Sequence, residues 1–135
     1  NFRESGATGA KRYHFLCAFA MPCYTRMLVE KLADTPDVLV GGVVGFPSGA
    51  DTTEIKVFTA KQMCKAGAQE LDMVINVGAL KSGNDRAVLD DIKAVIAAGD
   101  GRPVKSILEI AYLTDDEIKR ELDGQESRQR WKRSV

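Results

Sequence analysis

The chain alternates short apolar runs with segments of helical period, and this alternation occurs four times. Residues 14–20 (HFLCAFA) form an apolar run, after which Met27, Leu28 and Leu32 recur at helical spacing within 25–33. Valine-rich residues 37–45 read as a second strand. After the loop 46–50, Asp51 with Glu54 three positions on predicts a helix start of the capping-box type. Ile55, Val57, Phe58 and Met63 are expected to form the buried side of that helix, and Gly67 to stop it. Residues 70–76 predict a third strand and 77–83 a loop. A helix from about Asp85 then carries Val88, Ile92, Val95 and Ile96 as one apolar stripe, ended by Gly99 and Gly101. Residues 104–110 read as a fourth strand, and Thr114 with Glu117 makes a capping box for a last helix. Strands alternating with helices imply a parallel sheet with right-handed crossovers.

Two architectures fit four short-looped units. A (β/α)8 barrel takes roughly 250 residues, so a chain of 135 residues supplies about half of one. A small open doubly wound sheet would use all of it. The two ends depart from the regular middle. Residues 1–10 are polar without an apolar period, and beyond Arg120 the sequence ELDGQESRQRWKRSV holds few apolar residues besides Leu122, Trp131 and Val135. The last helix begins with a cap and then loses the face it should bury, which reads as an interrupted fold.

Composition narrows the function. Acids and bases balance at 19 each, with a sequence pI near 6.8, which gives no electrostatic reason to expect nucleic acid or a membrane as partner. The longest apolar run, 38–46, is too short to span a bilayer and contains Gly41, Gly42 and Gly45. No basic segment followed by an apolar one opens the chain, so no secretion signal is read there. Cys17, Cys23 and Cys64 form no CxxC pair and fit reduced thiols in a cytoplasm. His14 is the one histidine and is expected to have a packing or surface role.

The candidate chemistry lies in the last two strands. Asp72 sits among Leu71, Met73, Val74 and Ile75, where a carboxylate is costly to bury without a partner. Period-2 alternation puts Glu70, Asp72, Val74 and Asn76 on one face of that strand. On the next strand Lys105 shares a face with Ile107 and Glu109. A lysine in an apolar interior gives up its proton more readily, which suits a proton shuttle or an imine-forming amine. A buried acid and a buried base on neighbouring strands point to proton transfer. The bland alternatives are a carboxylate bonded to backbone and a lysine snorkelling beside Pro103. Residues 45–49 (GFPSG) stand where phosphate loops often occur, but they lack the Walker A lysine and the GxGxxG pattern, so a tight turn is the better reading. Lys81 and Ser82 read as a solvated loop, and the basic cluster 128–133 as a charged tail.

Five stretches carry a family resemblance: VVGFPSGADTTEIKVFTAK (43–61), ELDMVINVGALKSG (70–83), DDIKAVIAAG (90–99), PVKSILEIAYLTDDEI (103–118) and, more loosely, YHFLCAFAMPCY (13–24). Together they resemble the deoxyribose-phosphate aldolases, class I aldolases with a (β/α)8 barrel. The resemblance implies a partial barrel over 13–119, with 1–12 as a polar lead or helix remnant and 120–135 as a divergent, disordered tail. It implies reversible cleavage of 2-deoxy-D-ribose 5-phosphate to D-glyceraldehyde 3-phosphate and acetaldehyde through a lysine Schiff base. No metal or cofactor is implied. Asp72 falls on the family's proton-transferring aspartate and Lys105 on an active-site lysine. The family's imine-forming lysine belongs to a KT(S/G)TG-type motif that this sequence does not contain, so the chain is expected to be inactive alone. Phe19 stands where many relatives have cysteine. The implied partner is a small phosphorylated sugar, with neither nucleic acid nor membrane, and four strands predict self-association through open sheet edges. A non-catalytic half barrel paired with another chain and a flavodoxin-like nucleotide-binding domain are the competing readings.

Overall fold

A computed structural model describes residues 2–126, with side chains from 6 to 123. The polar lead is helical: α1 (Phe2–Tyr13) buries its small side, Ala7 and Ala10, against α2. Strand β1 (Cys17–Ala20) is shorter than the expected 14–20, because His14 takes a left-handed backbone conformation that ends α1 and delays the strand. His14 has the surface role expected of it, paired with Asp37 at 2.5 Å. Then follow α2 (Thr25–Leu32), β2 (Leu39–Val44), α3 (Thr53–Ala66), β3 (Glu70–Val74), α4 (Val77–Lys81), α5 (Asp85–Ala98), β4 (Val104–Ile107) and α6 (Asp115–Glu126).

The sheet is parallel throughout, in the order β1-β2-β3-β4. The main core lies on its helix side, where Val44, Leu71 and Met73 meet Ala60 and Met63 of α3 and Val88, Ile92 and Val95 of α5. A smaller cluster joins Val38 and Val40 to Leu28 and Leu32 of α2. Sequential strand order with helices against one face is the arrangement of consecutive barrel units. A doubly wound sheet would reverse its strand order and carry helices on both faces.

Several local expectations hold. Gly67 ends α3 in a left-handed conformation, and the stripe Val88, Ile92, Val95 faces the core. Thr114 and Glu117 cap α6 reciprocally, Glu117 Oε2 accepting from the Thr114 amide at 2.8 Å and Thr114 Oγ1 from the Glu117 amide at 3.3 Å. Others need correction. Thr52, not Asp51, caps α3, its hydroxyl accepting from the Ile55 amide. Of the expected stripe on α3, Met63 is buried and Val57 packs against the core, but Ile55 and Phe58 are exposed and Lys56 and Ala60 take the buried side instead. Strand β3 ends at Val74 because the Asn76 side chain caps α4, a short helix where a loop was expected. Strand β4 stops at Ile107, before Glu109 turns left-handed at φ 56° into a 3-10 turn. Helix α6 continues through Glu126 with Leu122 partly exposed. The basic cluster 128–133 and Trp131 lie outside the described residues.

Candidate active site

The sheet face turned away from the helices carries the candidate chemistry. Asp72 and Lys105 are direct register partners on β3 and β4. Both side chains lie on this face, and Lys105 Nζ stands 3.4 Å from Asp72 Oδ1. The same ammonium donates to Glu70 Oε1 at 2.8 Å. Glu70 is two residues before Asp72, so the strand's period brings both carboxylates to one cation.

Phe19 completes the group from β1. Its ring centroid is 5.0 Å from Lys105 Nζ, within cation–π range. The ring reaches across β2 because its register partner is Gly41, where an added Cβ would come within 2.0 Å of the Phe19 ring. A side chain at position 41 would displace the ring from Lys105.

The electrostatics correct one expectation. The Lys105 side chain is 50% exposed, not buried. Such burial as it has would lower its affinity for the proton, but the hydrogen bond to Glu70 and the charge of Asp72 outweigh this, and the lysine is held above its ordinary value. It is therefore a firmly protonated ammonium and not a readily deprotonated amine. Asp72 is likewise held above its ordinary value. Burial raises its proton affinity, and the Lys105 charge only partly offsets that. Its Oδ1 is buried and accepts no hydrogen bond, the Lys105 contact being an ion pair without hydrogen-bond geometry. At Asp72 burial thus outweighs the neighbouring cation, so the proton is held more tightly than by an ordinary aspartate, which is the direction that suits a carboxylate exchanging protons with a substrate. Burial and the neighbouring Glu70 push the Cys17 thiol up to about 12, so it stays protonated.

Asp72 and Lys105 share one face, as strand periodicity predicts, and two further charged residues that the sequence does not single out lie nearby or behind the sheet. Glu70 was noted only for sharing a face with Asp72. Lys56, on α3, was given no role, yet it is completely buried and pairs with Asp91 of α5 at 2.5 Å. The signal for Lys56 is Asp91, which follows the exposed Asp90 and falls on the buried stripe of α5, three residues after Val88 and four before Val95. Lys81 is at the surface, donating to the Tyr112 carbonyl and pairing with Glu117 at 3.4 Å.

Four consecutive parallel β/α units, with Asp72 and Lys105 paired on the face opposite the helices, make up part of a (β/α)8 barrel. The DeoC/LacD family aldolase model matches residues 18–129, and the chain belongs to that family. It is 48% identical to the deoxyribose-phosphate aldolase of Streptococcus suis over 108 residues, which make up 80% of this chain and 49% of that protein. The solved tetrameric deoxyribose phosphate aldolase from Aeropyrum pernix superposes with a TM-score of 0.71 at 31% identity, over 89% of this chain and 50% of that one. QR15, described as an aldolase, gives 0.82 at 28% identity over 91% and 54%. The chain thus spans about half the length of the relatives it matches. Among the described residues no helix is long and apolar enough to cross a membrane.

Proposed function

We propose that this chain carries the proton-transfer half of a deoxyribose-phosphate aldolase site. Its substrate is then 2-deoxy-D-ribose 5-phosphate, cleaved reversibly to D-glyceraldehyde 3-phosphate and acetaldehyde through a lysine Schiff base. Asp72 is the general acid and base, and Lys105 is the cation that tunes it. The observation that supports this most is the register pair itself, with Lys105 Nζ 3.4 Å from Asp72 Oδ1 and tethered by Glu70 at 2.8 Å.

The same geometry argues against Lys105 as the imine-forming amine. Imine formation needs a neutral nitrogen, and two carboxylates hold this one protonated. The covalent step therefore needs another lysine, which in the family belongs to the KT(S/G)TG-type motif missing from this sequence. Borohydride trapping with acetaldehyde, followed by peptide mapping, tests the assignment. No reduced adduct should form on Lys105 at neutral pH. Stoichiometric labelling of Lys105 would make it the Schiff-base residue and overturn the division of roles.

The second reading is a non-catalytic half barrel completed by another chain. It draws support from β1 and β4, which both end the sheet among the described residues. Sedimentation of the purified chain tests the form of this reading in which the other chain is a second copy: a monomer would exclude that self-pairing.

A further inference from the structure

The buried pair Lys56–Asp91 is unused by the chemistry above, and its location gives it a task. Strand β2 leaves the sheet after Val44, where Gly45 turns at φ 69°. Strand β3 runs on. The Ile75 amide donates to Ile107 of β4 at 3.2 Å. A trans peptide directs its two polar ends oppositely, so the Val74 carbonyl faces the space that β2 has vacated. An unpaired buried carbonyl is costly. Lys56 Nζ donates to that carbonyl at 3.1 Å and to Asp91 Oδ2 at 2.5 Å.

We infer that Lys56 is a positioning residue: its ammonium replaces the missing strand donor and holds the end of β3, and with it Asp72, in register against Lys105. The inference rests on the reading of Asp72 as the proton-transfer carboxylate. Four elements meet at this point. Lys56 comes from α3, Asp91 from α5 and the carbonyl from β3, and the turn after β2 lies close by: a Cβ at Gly45 would come within 3.1 Å of Lys56 Cε and 3.5 Å of the Val74 oxygen. Asp72 is two residues upstream of Val74 on the same face, so any slackening of this strand end reaches it directly. A lysine needed only for packing could be replaced by an apolar residue with little consequence. A buried ion pair is itself weak evidence of stabilisation, since well-packed apolar replacements are often neutral or better. That makes the double replacement a clean probe.

The experiment follows the titration of the Asp72 carboxyl by carbon NMR in the intact chain. This readout does not require turnover, so its failure is distinct from failure of the aldolase reading. The titratable groups facing Asp72 are Lys105, Glu70 and Cys17, and all three are left unaltered. In K56M/D91L the pair is gone and the Val74 carbonyl has no donor. As the Lys105 contact loosens, the Asp72 midpoint is expected to rise by about half a pH unit or more, and amide exchange at positions 74 and 75 to quicken. D91N, which keeps the Lys56 donor, should titrate like the unaltered chain. If K56M/D91L does not fold, K56Q/D91N gives the same readout, because its shorter neutral side chain cannot reach the carbonyl. An unchanged Asp72 midpoint in the folded donor-less variant would overturn the inference. So would a shift in D91N as large as that in the double variant.

Discussion

Replacing Lys105 by methionine removes one charge from a site that otherwise holds two carboxylates. Methionine keeps the unbranched chain that lies by Phe19, so the change is chiefly electrostatic. The Lys105–Asp72 separation of 3.4 Å corresponds to about 1 kcal/mol at the dielectric of water and about 5 at an effective value of 20. Half of the Lys105 side chain is in solvent, which favours the lower part of that range, about 2 kcal/mol. One pH unit is about 1.4 kcal/mol, so the Asp72 midpoint should rise by about 1.5 units in Lys105→Met.

The sign of the stability change follows by linkage. Burial already holds folded Asp72 above its unfolded value, so its protonated form favours the fold, and that contribution is lost as pH rises through the folded value. Removing Lys105 raises the folded value further. The variant should be less stable than the parent by about 2 kcal/mol at pH 7, and the gap should narrow as acid protonates Asp72 in both. Urea denaturation across this range, with carboxyl NMR for Asp72, measures both quantities. A gap that does not depend on pH, or an Asp72 midpoint that stays where it was, would refute the electrostatic account of the pair.

Two further outcomes are expected. Gly49 has φ 67°, and a Cβ there would lie 1.8 Å from the Ile75 carbonyl oxygen, so Gly49→Ala should cost more than about 2 kcal/mol in thermal or chemical denaturation; a loss under about 0.5 would refute this close packing of loop on strand. In alkylation with iodoacetamide at mildly alkaline pH, exposed Cys23 should react well before Cys17, whose thiol is pushed up to about 12. Equal rates would contradict the buried, carboxylate-flanked setting of Cys17.

Much of this site was legible in the sequence because strand periodicity is simple. Once 70–76 and 104–110 were read as adjacent parallel strands, alternation alone put Asp72 and Lys105 on a common face. What alternation could not supply was how far each side chain is exposed. Lys105 was expected to be buried, but its long stem carries the ammonium to the open edge of the face, where Glu70 meets it. Lys56 was missed for a different reason. Charged residues are presumed to face solvent, and in α3 that presumption assigned the buried side to Ile55 and Phe58 instead. The pairing depends on β2 ending one residue before β3 does and on Asp91, 35 residues away, filling the same space. Neither is a local property of the helix. The strand ends were overestimated wherever polar backbone geometry intervened, at Asn76, which caps α4, and at Glu109, which turns left-handed.

The central claim, that Asp72 is the proton-transfer group of an aldolase half-site, is tested most directly by reconstitution. The purified chain would be assayed for acetaldehyde release from 2-deoxy-D-ribose 5-phosphate alone, and then with the part of the Streptococcus suis aldolase that it does not match. The account predicts no turnover by the chain alone and turnover in the mixture that falls about 100-fold or more in Asp72→Asn. Turnover by the chain alone that vanishes in Lys105→Ala, or reconstituted turnover indifferent to Asp72→Asn, would contradict it.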